Sequence, residues 1–265
     1  MASQRPIGVF DSGIGGLTVA KEIIRQLPHE RIVYFGDTAR VPYGPKSPDV
    51  VRRYSREIAA FLRAQDVKAI VIACNTATAH ALAFLRSTLD VPVIGVVEPG
   101  ARAAVRATRG HIGVVGTSGT VQSRAYEKAI HEINPAVRVT ARACPLFVPL
   151  VEEGWTDHAV TEAVAREYLK PLLDTGIDVL VLGCTHYPLL KPLLCRMVGA
   201  DLRLIDSAAE TAAELGRVLQ QHGIAADRGT GTHRFVASDD PSQFLQLGQR
   251  FLGDAIEDVE IHTFV

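Results

Sequence analysis

The chain has one tryptophan, two methionines and four cysteines in 265 residues, and its formal net charge is only -1. Each scarcity excludes something. A near-neutral balance gives no basic surface for nucleic acid. No apolar run is long enough for a membrane span, because the longest are strand-sized. The first residues enter a strand at about Ile7 without the apolar stretch of a secretory signal, so a cytoplasmic location is expected. A chain of this length needs no disulfide staples, and in a reducing compartment the four cysteines are free thiols. There is no Cys-x-x-Cys pair, and the nine histidines are scattered, which argues against a zinc site.

What is present is a repeated pairing of aliphatic run and cysteine. Ile70-Val-Ile-Ala-Cys-Asn-Thr76 and Leu180-Val-Leu-Gly-Cys-Thr-His186 each read as a buried parallel strand followed by a helix start. Cys74 and Cys184 therefore fall at strand ends, where the sulfur is expected to be exposed at the sheet edge and a helix N-terminus favours the thiolate. Cys144 and Cys195 read as small buried hydrophobes.

Strands are expected at Ile7–Phe10, Ile32–Phe35, Ala69–Ala73, Val93–Val96, Ile112–Val115, Val137–Ala141, Val179–Leu182 and Leu202–Ile205. Helical patterns fill the gaps between them, among them Pro48–Ala64, Ala77–Leu89 and Val121–Ile133. The alternation predicts an α/β fold with mostly parallel sheets. Ile7-Gly-Val-Phe-Asp-Ser-Gly is echoed at Ile112-Gly-Val-Val-Gly-Thr-Ser-Gly, and the two cysteine motifs are displaced by nearly the same interval. Two similar α/β domains facing each other across a central cleft, related by a pseudo-twofold, account for this register. We place the first at 1–97 plus 208–265, completed by a tail strand, helix and strand, and the second at 98–207.

Several turns could bind a ligand. Asp11-Ser-Gly-Ile-Gly-Gly16 breaks the dinucleotide pattern at Thr18, although Asp37 stands where a ribose acceptor would. Asp11 and Ser12 fit an ammonium group or the vicinity of a reacting carbon, with helix capping as the plainer role for Ser12. Tyr43 and Gly44 offer a ring and a backbone N–H from a turn that could equally be ordinary surface. Asn75 and Thr76 can cap a helix and present N–H groups to a carboxylate; Thr117, Ser118 and Thr120 occupy the equivalent turn. His186, beside Cys184 and Thr185, can tune the thiol. Glu152 lies in what reads as a loop, where a carboxylate is ordinarily just solvated.

Taken together, Asp11–Gly16, Pro42–Gly44, Ala73–Ala77, Gly116–Thr120, Cys144–Glu152 and Gly183–Pro188 resemble the glutamate racemase family of the aspartate/glutamate racemase superfamily over essentially the whole chain. The resemblance implies racemisation of glutamate at Cα without any cofactor, with Cys74 and Cys184 as the two bases. It implies that Asp11, Glu152 and His186 assist proton transfer. It implies substrate contacts at Asp11, Ser12, Tyr43, Gly44, Asn75, Thr76, Thr117, Thr120, Thr185 and His186. A homodimer and a supply of D-glutamate for peptidoglycan are likewise implied. Relatives activated by a cell-wall precursor carry an extra N-terminal segment, so no such activation is expected. The rivals are the same fold acting on aspartate, a hydantoin or a malonate, an amino-acid-binding clamp, and a thiol hydrolase using Cys184 and His186. The paired thiols count against the malonate reaction, the clamp and the hydrolase, while glutamate over aspartate rests on the family motifs alone.

Overall fold

The computed structural model describes residues 3–229 and 232–264, so the expected domain limits at 1 and 265 lie outside it. The strands are β1 (Ile7–Asp11), β2 (Ile32–Gly36), β3 (Ala69–Ile72), β4 (Val93–Gly95), β5 (His111–Gly116), β6 (Arg138–Ala143), β7 (Val179–Gly183), β8 (Arg203–Asp206), β9 (Arg234–Ala237) and β10 (Glu260–Ile261). They form a six-stranded sheet in the order β10-β9-β2-β1-β3-β4 and a four-stranded sheet in the order β6-β5-β7-β8. Every pairing is parallel.

The order β2-β1-β3-β4 in the first sheet is the order β6-β5-β7-β8 in the second, element for element. The repeat read in the sequence is thus a repeat of topology. β9 and β10 have no counterpart in the second sheet and extend the first beyond β2. The last strand is only two residues long, paired through Glu260–Val236 and Ile261–Ala237.

Helices cover both faces of each sheet, which is why the central strands are continuous apolar runs. The two-residue period sorts their side chains between two cores. Ile70 and Ile72 face one core of the first sheet, while Ala69, Val71 and Ala73 face the other. Cys74 continues the face of Ile70 and Ile72. In the second sheet Leu180, Leu182 and Cys184 share a face in the same way. The two thiols therefore occupy equivalent registers.

Two elements differ from expectation. The helix expected at Val121–Ile133 is two helices, Ser118–Gln122 and Ala125–Ile133, broken where Arg124 adopts a left-handed φ of 56°. The Glu152 segment is not a loop but the short helix Phe147–Glu152. Pro149 reads as a breaker, yet it falls in the first turn, where its missing N–H has no intrahelical partner to lose.

At the amino ends of β2 and β3, Lys68 and Glu30 form a buried ion pair at 2.6 Å, with side chains 0% and 4% exposed. Lys68 Nζ also donates to the carbonyls of Ser3 and Ile224, and Glu30 accepts from the Ala226 N–H. Lys68→Met strands a buried carboxylate and should cost about 3–5 kcal/mol in urea unfolding. The double change Lys68→Met/Glu30→Leu should recover much of that loss.

Candidate active site

In a sheet of order 2-1-3-4 the connections diverge on either side of strands 1 and 3, leaving a crevice at their carboxyl ends. Asp11 is the last residue of β1 and Cys74 lies two residues past β3, with Thr117 and Cys184 immediately after β5 and β7. Both crevices thus carry a cysteine on one side and a polar turn on the other. Cys144 also follows a strand and precedes a helix, but it follows the edge strand β6, away from the crevice. It is buried as expected; Cys195 is not, being exposed on the helix Lys191–Val198.

Cys74 caps the helix Asn75–Thr88, its sulfur accepting the Ala77 N–H at 3.4 Å. The thiol donates to Ser12 Oγ at 3.7 Å. Asp11 is fully buried beside it; Oδ2 accepts the Gly13 N–H at 3.0 Å and Oδ1 accepts the Thr185 hydroxyl at 3.3 Å. Burial raises the Asp11 pKa, opposed chiefly by the charge of His186. Burial, reinforced by Asp11, also pushes the Cys74 thiol up to about 12. This reverses the expectation that a helix N-terminus favours the thiolate. The Ala77 N–H does act in that direction, but desolvation outweighs it.

Cys184 is set differently. No α-helix begins there; a 3-10 turn, Tyr187–Leu190, comes first. The local cation is a side chain instead. His186 Nδ1 lies 3.9 Å from Cys184 Sγ, and its Nε2 lies 3.0 Å from Glu152 Oε1. Burial alone would lower the His186 pKa, yet its bonds to Cys184 and Glu152 prevail and raise it to about 10. At neutral pH the ring is therefore an imidazolium between a sulfur and a carboxylate.

The two crevices meet. Thr76 Oγ1 is 2.8 Å from Thr117 Oγ1 and 3.3 Å from Thr120 Oγ1, and the Gly119 N–H donates to the Gly44 carbonyl at 2.9 Å. Thr117 caps the helix Ser118–Gln122 by accepting the Thr120 N–H. A Cβ on Gly15 would stand 2.5 Å from His186 Nδ1 and from Thr185 Oγ1, so the glycine turn rests directly on the Cys184 turn. Both cysteines are buried, at 6% and 7% exposure, rather than open at a sheet edge as expected. A cavity of 330 Å³ opens between Gly13, Ile14, Glu152 and the helix Pro241–Leu252; neither cysteine is among its lining residues.

Tyr43 is not on a surface turn. Its ring is buried in the core that holds Cys74, and its hydroxyl donates to Asp37. Asp37 also accepts from Arg40 at 2.8 Å and from Ser238 at 2.9 Å, so its oxygens are committed and the ribose-acceptor reading falls. Asn75 Oδ1 accepts from the Tyr126 hydroxyl at 2.7 Å, while its buried Nδ2 has no partner among the described residues. Tyr126 was not singled out by the sequence, because nothing in its helical surroundings marks it.

A family model described as Asp/Glu/Hydantoin racemase matches residues 7–215. The chain belongs to this family. Membership makes it an isomerase. Among the relatives of this racemase is a glutamate racemase of Geobacter metallireducens, 55% identical over 257 residues, covering 96% of this chain and 95% of that one. A glutamate racemase crystal structure from Bacillus anthracis superposes with a TM-score of 0.94 at 46% identity, covering 99% of this chain and 98% of that one. One from Francisella tularensis, solved with D-glutamate, gives a TM-score of 0.92 at 39% identity, each chain covered to 98%.

Proposed function

We propose that the protein interconverts L- and D-glutamate by two-base proton transfer at Cα, with Cys74 and Cys184 on opposite faces of the substrate. The observation that carries this reading is the pair of thiols at equivalent registers of two topologically identical sheets, joined through the Asp11–Thr185 and Thr76–Thr117 contacts. Inversion needs an acid and a base on opposite sides of one carbon, and a duplicated crevice supplies one from each half. The ligand named in the Francisella structure supports glutamate as substrate.

In this scheme one sulfur, as thiolate, takes the Cα proton, and charge moves from Cα onto the adjacent carboxylate. The opposite thiol then delivers its proton to the other face. Charge on the carboxylate is met by donors fixed beforehand: the Asn75 amide and the hydroxyls of Thr76, Thr117, Thr120 and Thr185. The substrate ammonium lies by Asp11 and Ser12, where its charge offsets the desolvation that holds Cys74 protonated. Tyr43 and Gly44 shape the wall. By family analogy Cys74 deprotonates D-glutamate and Cys184 deprotonates L-glutamate. Asp11 assists at Cys74, and His186 with Glu152 at Cys184. No cofactor enters the scheme.

We assign the two halves as domains 1–97 plus 208–265 and 98–207, and we read the protein as a cytoplasmic homodimer supplying D-glutamate for peptidoglycan. Circular dichroism of the purified protein with L- and then D-glutamate tests the central reading. The signal should decay toward zero from both sides, and a signal that stays flat with both enantiomers overturns it.

The His186–Glu152 pair gives this scheme a pH signature. An ordinary histidine loses its proton near pH 6.5, whereas His186 holds it to about 10 with Glu152 as one cause. Glu152→Gln removes a contribution that raises the pKa, so the alkaline limb of kcat/KM should move to lower pH. An unmoved limb would remove His186 from the protonation step.

A further inference from the structure

Asn75 is the first residue of its helix, next to Cys74, and only 2% exposed. Its amide carries an acceptor at one end and two donors at the other. A half-turn about the terminal bond exchanges them, so the residue alone does not determine which end is left free. In this structure Oδ1 is taken by the Tyr126 hydroxyl, and the donor end is the one without a partner among the described residues. A buried N–H left unpaired carries a desolvation penalty that a bound acceptor relieves.

Tyr126 is well placed to dictate that choice. It stands on the helix Ala125–Ile133, over the second sheet, and reaches across to Asn75 over the first. Its phenol proton goes to Asn75 Oδ1, with the Ser207 side chain close by: a Cβ on Gly100 would lie 3.2 Å from both Ser207 Cβ and the Tyr126 hydroxyl. Burial raises its pKa, so the hydroxyl stays protonated and donates. The ring is buried against two glycines, Gly100 and Gly183, and a Cβ on Gly183 would lie 3.0 Å from it. Gly183 immediately precedes Cys184, so the same ring touches the turn of the second thiol.

We propose that Tyr126 is a positioning residue: by donating to Asn75 Oδ1 it locks the amide with its NH2 free to bind a carboxylate of the substrate. This rests on the glutamate reading of the site and adds the group that orients the site's amide. The half that carries Cys184 thereby sets a binding group beside Cys74.

Tyr126→Phe keeps the ring and removes the lock. The expected result is a rise of about 10- to 100-fold in KM and in the Kd of D-glutamate by calorimetry, the range of one hydrogen bond to a charged group. Turnover at saturation should stay within a few fold. Because the two enantiomers are equal in energy, kcat/KM must fall by the same factor in both directions. In an Asn75→Ala background the Phe change should add nothing; a further tenfold loss there would place the tyrosine's role elsewhere and overturn the proposal. Unchanged KM and Kd overturn it equally. In ¹⁵N-labelled wild-type protein the Asn75 side-chain NH2 signal should shift on addition of D-glutamate, and a signal that does not move defeats the proposal even if the Phe variant fails to fold. A wild-type protein that binds D-glutamate but does not racemise it counts against the catalytic reading alone.

Discussion

Cys74→Ser and Cys184→Ser should each lower racemisation of glutamate by about 10²- to 10⁴-fold, in both directions. A serine hydroxyl is too weak an acid to supply the missing base, and the remaining thiol can serve only one face of Cα. The loss must appear from L and from D alike, since each sulfur removes the proton in one direction and delivers it in the other. The environments of the two sulfurs predict a secondary difference. Cys184 works beside an imidazolium 3.9 Å away, whereas Cys74 has Ser12 and the Ala77 N–H and is held at about 12 by burial. A β-substituted analogue that eliminates its leaving group after a single proton abstraction should still react with each variant, but as opposite enantiomers. Full racemisation by either single variant would leave one shared base and end the two-thiol mechanism.

In deuterium oxide, early turnover should place deuterium at Cα of the product enantiomer while recovered substrate stays largely unlabelled. The proton taken from substrate goes to one sulfur and the one delivered comes from the other, which has already exchanged with solvent. Burial of the two cysteines adds a condition: exchange has to occur while the halves are apart. Among the contacts that close them are the Thr76–Thr117, Gly119–Gly44 and Thr185–Asp11 hydrogen bonds, each worth about 1 kcal/mol. Opening on that scale is compatible with many excursions per turnover, so protein equilibrated in deuterium oxide should label even its first product. Equal labelling of substrate and product from the start, followed by mass spectrometry after chiral separation, would indicate a single base.

The sequence carried the architecture well because strands buried on both faces leave an unmistakable trace. Pro48–Ala64 begins and ends where its periodicity and N-terminal proline indicate. The paired cysteines were legible for the same reason, each continuing a two-residue alternation. What failed was chemistry that depends on distant chain. The helix start beside Cys74 is visible locally, but Asp11 and the packing that seals the thiol come from elsewhere, and they reverse the sign of the expected shift. Asp37 looked like a free acceptor until Tyr43, Arg40 and Ser238 closed around it. Arg124 in a left-handed conformation leaves no mark, since neither glycine nor asparagine announces it.

The two halves also differ in when they can be finished. Every strand of the four-stranded sheet lies between His111 and Asp206, so that half is complete as soon as this stretch leaves the ribosome. The six-stranded sheet starts first and closes last. β2 has β1 on one flank and waits for β9 on the other, roughly the whole length of the intervening half later. During that interval Ile32–Gly36 is a largely apolar strand with one flank unpaired, the kind of edge that recruits foreign strands. Chaperone dependence during synthesis therefore falls on the half that begins the chain, and any premature stop before Arg234 releases that edge permanently.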